Sequence, residues 1–418
     1  MKKFIGVTLF SGLLTFVKML SGFIIVKVIA IYAGPSGLAM LGQAQSMISS
    51  FNGVVSAPLG NAVIRYTAEH QSKSFNACSP WWRACLYWSI FLFIPLLILT
   101  VSLSDSISLF VFSKVNLGWL VIACVLIVPF SAVNILINSI FNGLQQYRKL
   151  ILSGIVSVLI STLLTITLIV LYKLNGVLLS VAMASAVSGA VMFCSAFLYK
   201  SEWLSLAYWL GPVSKVNIKG VGSYVIMALS SAISIPLSFM FVRNTLVENV
   251  GWDVTGEWQA VYKISETYLA IITMGLSTYY LPRLSTLADS NAIRKEIFSM
   301  MKIVMPIVIV LALFIYSFRD LIINLLFTKQ FSGARDLFFI QLVGDVIKIA
   351  SWIIAFPMLS RGNVKWFVGS EVLFSIFFVL LTCLLVPHLG VHGANAAYTT
   401  NYVLYFIFVH KNLDKYIS

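Results

Sequence analysis

Charged side chains are scarce in this sequence. Only 10% of its 418 residues are charged, whereas 60% are hydrophobic, and the acidic residues number 14. Soluble domains carry about a quarter charged residues. The composition therefore excludes a soluble globular protein. Apolar runs of about 20 residues along the whole chain predict an integral membrane protein with many spans.

Several chemical motifs are also missing from the sequence. The five cysteines and four histidines show neither paired nor metal-type spacing, so no disulfide framework or metal centre is expected. A Gly-x-x-x-x-Gly-Lys-Ser/Thr phosphate loop is absent, which argues against ATP hydrolysis. We expect no catalytic residues and no cofactor. The net charge of +14 is explained by membrane orientation and does not require a nucleic-acid partner.

Breaks at charged, proline and glycine clusters divide the chain into twelve predicted transmembrane helices. Their approximate limits are 4–32, 38–64, 84–104, 117–142, 150–172, 176–199, 220–242, 257–282, 303–318, 337–360, 366–386 and 393–410. The first run is too long for a signal peptide and is interrupted by Lys18, so it is kept as a span.

Lysine and arginine are distributed unevenly over the two sides of this arrangement. Eighteen fall on one side and six on the other, the six including Lys114 and Arg243. The richer side is predicted to be cytoplasmic, which places both termini in the cytoplasm.

The second half of the sequence echoes the first at an offset of about 211–219 residues. The matched features are, in order, Gln43 with Gln259, Arg65 with Arg283, Pro95 with Pro306, Phe112–Lys114 with Phe327–Lys329, Gly143 with Gly362, and Gly176 with Gly393. Six spans separate the copies, so both halves have the same orientation, as in transporters built from parallel repeats. We predict an all-α polytopic fold of two six-helix bundles around a central cavity, with domains 1–200 and 220–418 joined by a cytoplasmic linker, 201–219.

Seven ionisable residues lie inside predicted spans. They are Lys18, Lys27, Lys263, Glu266, Asp345, Lys348 and Glu371. A charge at the bilayer centre costs at least about 2.5–3.5 kcal/mol and usually lines a polar cavity. Helical spacing puts Gln259, Lys263 and Glu266 on one stripe and Gln341, Asp345 and Lys348 on another. Span one carries a similar stripe at Ser11, Thr15, Lys18 and Gly22, and span two is rich in small polar residues, among them Gln43 and Asn52.

Structural roles compete with a cavity role at several of these positions. Lys263–Glu266 and Asp345–Lys348 are spaced to neutralise each other as ion pairs. Lys27 is near one end of its span and is able to snorkel outward, and Glu371 is near the other interface. Arg65 and Arg283 are either positive-inside anchors or a pair that receives an anionic headgroup at the cytoplasmic entrance.

Five segments resemble Wzx-type flippases of the MOP superfamily, the polysaccharide transporters for O-antigen units and for enterobacterial common antigen (lipid III). The segments are Gly34–Gln43, Arg65–His70, Trp258–Leu269, Tyr279–Ser285 and Leu342–Lys348. The resemblance covers the whole chain. It implies a V-shaped pair of bundles in the bacterial inner membrane that participates in lipopolysaccharide biosynthesis.

The substrate implied by this resemblance is an oligosaccharide on undecaprenyl pyrophosphate, moved from the cytoplasmic to the periplasmic leaflet. The implied partners are membrane lipids and other polysaccharide assembly proteins, and an ion gradient or the membrane potential would supply the energy. The resemblance implies cavity roles for Lys18, Lys27, Lys263 and Lys348. Gln43, Asn52, Gln259 and Gln341 are candidates for sugar contacts.

Three other functions compete with an O-antigen flippase. The first is a flippase of the same type for enterobacterial common antigen lipid III. An organic-cation antiporter of the same superfamily would need an unpaired acid, for which Glu371 is the candidate. A membrane-bound polymerase or ligase would instead join lipid-linked units.

Overall fold

The computed structural model describes residues 2–113, 115–287 and 289–417, and the side chains of 12–113, 116–222, 224–287 and 289–417. The predicted roles of Lys114 and of the Ser11 side chain lie outside these residues. Within them the chain is helical and contains no strand, which confirms the all-α prediction. The α-helices are α1 Lys2–Tyr32, α2 Gly34–Ser56, α3 Asn61–His70, α4 Phe75–Ser102, α5 Ser104–Phe112, α6 Gly118–Gly143, α7 Tyr147–Leu198, α8 Leu206–Trp209, α9 Lys215–Gly275, α10 Leu281–Thr286, α11 Ser290–Ser317, α12 Arg319–Leu326, α13 Ala334–Ser360, α14 Val364–Leu389, α15 Val391–Lys411 and α16 Leu413–Ile417.

Nine helices of the described residues are long and apolar enough to cross a membrane. Two of them contain an interruption: α7 at Lys173 and α9 at Gly251, where the backbone leaves the helical region. Each divides into two segments of spanning length. With α15, a helix of 21 residues, the segments correspond to the twelve predicted spans, and the chain is a multi-pass membrane protein.

The interruptions reveal the internal repeat in the backbone itself. Residues with a positive φ recur in three pairs, Gly34 with Gly251, Gln145 with Gly362, and Lys173 with Gly390, each pair with the same spacing of 217 residues. A positive φ is unusual outside glycine and marks a turn. The same turns therefore separate corresponding helices in the two halves, in agreement with the predicted offset.

Two predicted boundaries are wrong for identifiable reasons. Span two ends at Ser56, because residues 57–60 break the helix before α3 begins at Asn61. Span seven continues past Arg243 to the interruption at Gly251. A buried arginine was taken for the end of the hydrophobic segment, so the predicted loop at 243–256 does not exist.

The chain forms two compact units. The N-terminal unit comprises Met1–Tyr32 and Gln43–Leu237, and the C-terminal unit comprises Ala33–Gly42 and Ser238–Ser418. The division runs through α2 and α9, so helices as well as loops join the units. The predicted domain limits at 200 and 220 rest on the sequence repeat and stay a prediction.

Each unit has its own core. In the N-terminal unit α6 packs against α7 so closely that a Cβ on Gly189 would overlap the Phe130 carbonyl. Trp82 is fully buried, and its Nε1 donates to Thr67 Oγ1 at 2.8 Å. In the C-terminal unit α13 packs against α14 and α15. Asn395 of α15 donates to the Leu337 carbonyl of α13 at 2.8 Å.

Candidate functional site

The C-terminal unit has a buried carboxylate at its centre. Asp345, on α13, is fully buried. Its two oxygens accept hydrogen bonds from the hydroxyls of Tyr268 and Tyr398, each at 2.9 Å, and from Gln341 Nε2 at 3.2 Å. The Ser265 hydroxyl donates to the same group. A carboxylate removed from water requires such donors to offset its lost hydration.

Lys348, one turn along α13 from Asp345, is held mainly by aromatic rings. Its ammonium lies 4.9 Å from the ring centre of Trp352, 5.6 Å from that of Tyr398 and 5.4 Å from that of Tyr402. Cation–π contacts of this kind stabilise a lysine that has few water molecules around it.

The predicted Asp345–Lys348 ion pair is not formed within 4 Å among the described residues. Tyrosine hydroxyls occupy the carboxylate and aromatic faces hold the ammonium. The i, i+3 spacing correctly predicted that both residues share one face of α13. It could not predict which residues of α9 and α15 contact that face.

The predicted Lys263–Glu266 pair is formed. On α9, Lys263 Nζ lies 2.7 Å from Glu266 Oε2. The Lys263 side chain is 25% exposed and that of Glu266 52% exposed, so the pair lies at the surface of the unit. Lys348 and Arg243 also act electrostatically on Glu266. Among the described residues, Lys263 is the ion-pair partner of Glu266 within 4 Å.

Arg243 is a candidate site residue that was predicted to lie in a loop. It is only 3% exposed. Its Nε donates to Gln259 Oε1 at 2.8 Å and its Nη1 to the Phe239 carbonyl at 3.2 Å. Gly42 permits this packing, because a Cβ there would lie 2.8 Å from the Arg243 Nε. The sequence signal that could have found it is the continuous helical pattern from Lys215 to Gly251.

These residues form the C-terminal polar cluster. Its members are Arg243, Gln259, Lys263, Glu266, Tyr268, Gln341, Asp345, Lys348, Tyr398 and Tyr402. Six of the predicted cavity residues are thus brought together: Gln259, Lys263, Glu266, Gln341, Asp345 and Lys348. The tyrosines were missed, because an aromatic residue in an apolar helix does not reveal where its hydroxyl points.

The remaining predicted cavity residues belong to the N-terminal unit. Lys18 is exposed and Lys27 is half-buried on α1, while Gln43 is fully buried on α2. Asn52 is half-buried, and its Oδ1 has no hydrogen-bond partner among the described residues. Their cavity role stays a prediction, as does that of Glu371, which is half-buried on α14.

The two predicted entrance arginines have similar surroundings. Arg65 donates to the Tyr224 hydroxyl and lies 3.9 Å from Glu69. Arg283 lies 3.6 Å from Glu296. Both side chains are more than half exposed, so both are accessible to a ligand.

The sequence comparisons give a consistent picture of the whole chain. No family model matches it. The lipid III flippases of Escherichia coli (strain K12) and Shigella flexneri are each 27% identical to it over 405 residues, which cover 96% of this chain and 95% of theirs. The resemblance to flippases that the motifs indicated is confirmed.

Solved structures decide the fold. An inward-facing MATE multidrug transporter of the MOP superfamily matches with a TM-score of 0.71 and 13% identity, covering 95% of both chains. An outward-facing one matches with a TM-score of 0.66 and 15% identity, covering 97% of this chain and 94% of that one. The fold is that of MOP-superfamily transporters. A transporter of this superfamily from Pyrococcus furiosus, described as having a binding pocket of reversed polarity, matches with a TM-score of 0.58 at 13% identity over 96% and 95% of the chains.

Proposed function

We propose that the protein is a flippase that moves a polyprenyl-pyrophosphate-linked oligosaccharide across the bacterial inner membrane, from the cytoplasmic to the periplasmic leaflet. One observation carries the proposal. Lys263 is partly exposed and is paired at 2.7 Å with the accessible Glu266 carboxylate, in a cluster that also contains Lys348 and Arg243, so an entering anion is able to replace that carboxylate at Lys263.

The chemistry of the headgroup fits this arrangement. A pyrophosphate is too costly to carry through hydrocarbon without positive partners. Lysine binds it as a flexible point charge, which suits a site that must also release its ligand. In the proposed mechanism the pyrophosphate displaces the Glu266 carboxylate from Lys263 and also binds Lys348, while Asp345 keeps its tyrosine donors and does not compete.

The cycle we propose is alternating access. It is supported by the fold, since related transporters have been solved in inward-facing and outward-facing conformations. The protein's task is transport, not bond cleavage, and the prenyl chain stays among membrane lipids throughout. We also propose substrate-binding roles for the N-terminal residues Lys18, Lys27, Gln43 and Asn52.

The comparisons favour one glycan over the one we first expected. The relatives are lipid III flippases, so the lipid-linked unit of enterobacterial common antigen is our first candidate and an O-antigen repeat unit the second. An organic-cation antiporter is the competing function, because MATE multidrug transporters share the fold.

The decisive test is genetic. In a strain that lacks this gene, the wild-type chain should restore the missing surface glycan, and the Lys263→Met and Lys348→Met variants should restore it poorly at equal membrane abundance. One lost charge-assisted contact is expected to weaken binding about 10-fold or more. Lys295→Ala, which removes an exposed lysine on α11, is the matched control and should behave as wild type.

Three outcomes contradict parts of this proposal. Full activity of both lysine variants would eliminate the phosphate-binding role of the cluster. Drug resistance conferred by the wild-type chain, without any change in surface glycan, would establish the antiporter. Loss of O-antigen in the deletion strain, with enterobacterial common antigen retained, would reverse the order of the two glycans.

A further inference from the structure

The segment that connects the two halves of the sequence is folded onto the N-terminal unit. In the structure this segment begins directly after α7, so the term linker is used below for residues 199–219, which include the predicted 201–219. It contains a short 3₁₀ helix, Glu202–Leu204, and α8, Leu206–Trp209. A flexible connection between two bundles would need neither helix. The ordered structure of the linker therefore indicates a role beyond joining the two halves.

Side chains of α4 hold the backbone of the linker. Arg83 Nε donates to the Tyr208 carbonyl and its Nη2 to the Ala207 carbonyl, each at 3.0 Å. Trp88 Nε1 donates to the Ile218 carbonyl at 3.0 Å. Buried or half-buried carbonyls need such donors. The linker is consequently fixed to one helix at its middle and near its C-terminal end.

Aromatic packing adds to these hydrogen bonds. The ring of Trp209 stacks on that of Trp82 at 5.4 Å between ring centres, and Trp209 Nε1 donates to the Trp203 carbonyl at 2.8 Å. Trp203 is buried and packs edge-on against Phe141 at 5.8 Å. The inner face of the linker is therefore apolar and fully engaged with the protein.

The outer face of the linker is apolar too, but the unit does not cover it. Leu206 is 71%, Leu210 67% and Val216 75% exposed. At the end of α7, which directly precedes the linker in the sequence, Phe197 is 70% and Leu198 77% exposed. Because α7 is a membrane-spanning helix, exposed apolar residues begin at its end and recur along the linker.

Positive charge borders this apolar surface. Lys200, Lys215 and Lys219 are exposed, and Lys149 lies 5.3 Å from the ring centre of Tyr199. The sequence of the linker contains one acidic residue, Glu202. Apolar side chains flanked by lysines and tryptophans are typical of segments that lie in the headgroup layer of an anionic membrane.

We propose that the linker lies in the membrane interface and binds anionic phospholipid headgroups, with Leu206, Leu210 and Val216 inserted at the acyl boundary. A second protein is a poorer occupant of these side chains, since the linker directly follows the membrane-spanning α7 and carries three exposed lysines. The proposed contacts are with phospholipids of the surrounding leaflet, so they do not depend on which substrate the protein moves.

Spin labels can locate the linker relative to the membrane. The full chain, with its five cysteines replaced by alanine and its complementing activity verified, is reconstituted in phosphatidylglycerol vesicles with single labels at Leu206→Cys or Leu210→Cys. Glu202→Cys and Ser205→Cys are matched exposed controls. Labels at 206 and 210 should collide readily with oxygen and rarely with a water-soluble nickel chelate, with a ratio severalfold above that of the controls.

Two results would overturn the membrane location. Equal nickel accessibility at all four positions would mean that the linker lies in water. Exclusion of both oxygen and nickel from labels at 206 and 210 would mean that protein covers the surface, either a second copy or another partner.

The headgroup part has a separate test. Spin-labelled phosphatidylglycerol and phosphatidylcholine are compared for association with the wild-type chain, the triple variant K200Q/K215Q/K219Q and the control Lys329→Gln. Each basic residue near an anionic surface contributes about a fivefold preference. The triple variant should lose most of the phosphatidylglycerol preference and the control none. An unchanged preference in the triple variant would show that the linker does not bind anionic headgroups.

Discussion

The N-terminal and C-terminal units are built on the same repeat but solve the burial of polar groups differently. In the N-terminal unit close backbone contacts and large aromatic residues fill the core, as at Gly189 and Trp82. In the C-terminal unit a carboxylate and a guanidinium are buried, at Asp345 and Arg243. Close packing determines the stability of the first core, whereas the buried charged groups of the second require hydrogen-bond partners.

The largest effect should follow from removing the buried carboxylate. Asp345→Ala deprives Tyr268, Tyr398 and Gln341 of their acceptor. Breaking a buried charge network typically costs about 3–5 kcal/mol. Thermal unfolding in detergent micelles measures the loss. Asp336→Ala, exposed on the same helix, should change stability by less than about 1 kcal/mol. Similar melting of the two variants would mean that the network does not stabilise the unit.

A smaller loss is expected from one methyl group in the N-terminal unit. Gly189→Ala forces α6 away from α7, because the new Cβ overlaps the Phe130 carbonyl, and overpacking typically costs about 1–3 kcal/mol. Gly22→Ala is the same chemical change where nothing lies within 4 Å, so it should be neutral or stabilise α1 by up to about 1 kcal/mol. Gly189→Ala should therefore melt at a lower temperature than the wild type and Gly22→Ala at the same or a higher one, and equal lowering by both changes would contradict the close contact.

The repeat and the polar faces of single helices could be predicted from the sequence, but the contacts between helices could not. The repeat was visible as weak matches, and it exists because the same turns recur, as at Lys173 and Gly390. The polar stripe of α9 was visible because helical periodicity places residues i and i+3 on one face. The tyrosines that hold Asp345 were not, because they come from other helices, and packing between helices leaves no periodic signal.

Gly42 allows the same comparison within the C-terminal unit, because it packs closely against a buried polar pair. A Cβ there would lie 2.7 Å from the Gln259 side chain and 2.8 Å from Arg243. Gly42→Ala should disturb the Arg243–Gln259 hydrogen bond at a cost of about 1 kcal/mol and reduce transport more than it reduces stability. Gly369→Ala, where nothing lies within 4 Å, is the control. Surface glycan in complemented cells and melting in micelles give the two readouts. Wild-type transport by Gly42→Ala would show that this hydrogen bond is not needed for substrate binding.

The smallest effects on stability are expected at Arg65 and Arg283, one in each unit and equivalent in the repeat. Both are exposed, with acidic neighbours at 3.9 and 3.6 Å, and exposed pairs contribute about 0–1 kcal/mol. Arg65→Gln and Arg283→Gln should therefore melt almost as the wild type does. Transport separates the two roles that the sequence left open. If these arginines receive the headgroup, each variant slows glycan display at unchanged melting temperature and abundance. If they only anchor the helices by the positive-inside rule, Arg→Lys and Arg→Gln differ in membrane orientation and abundance, and transport per molecule stays constant.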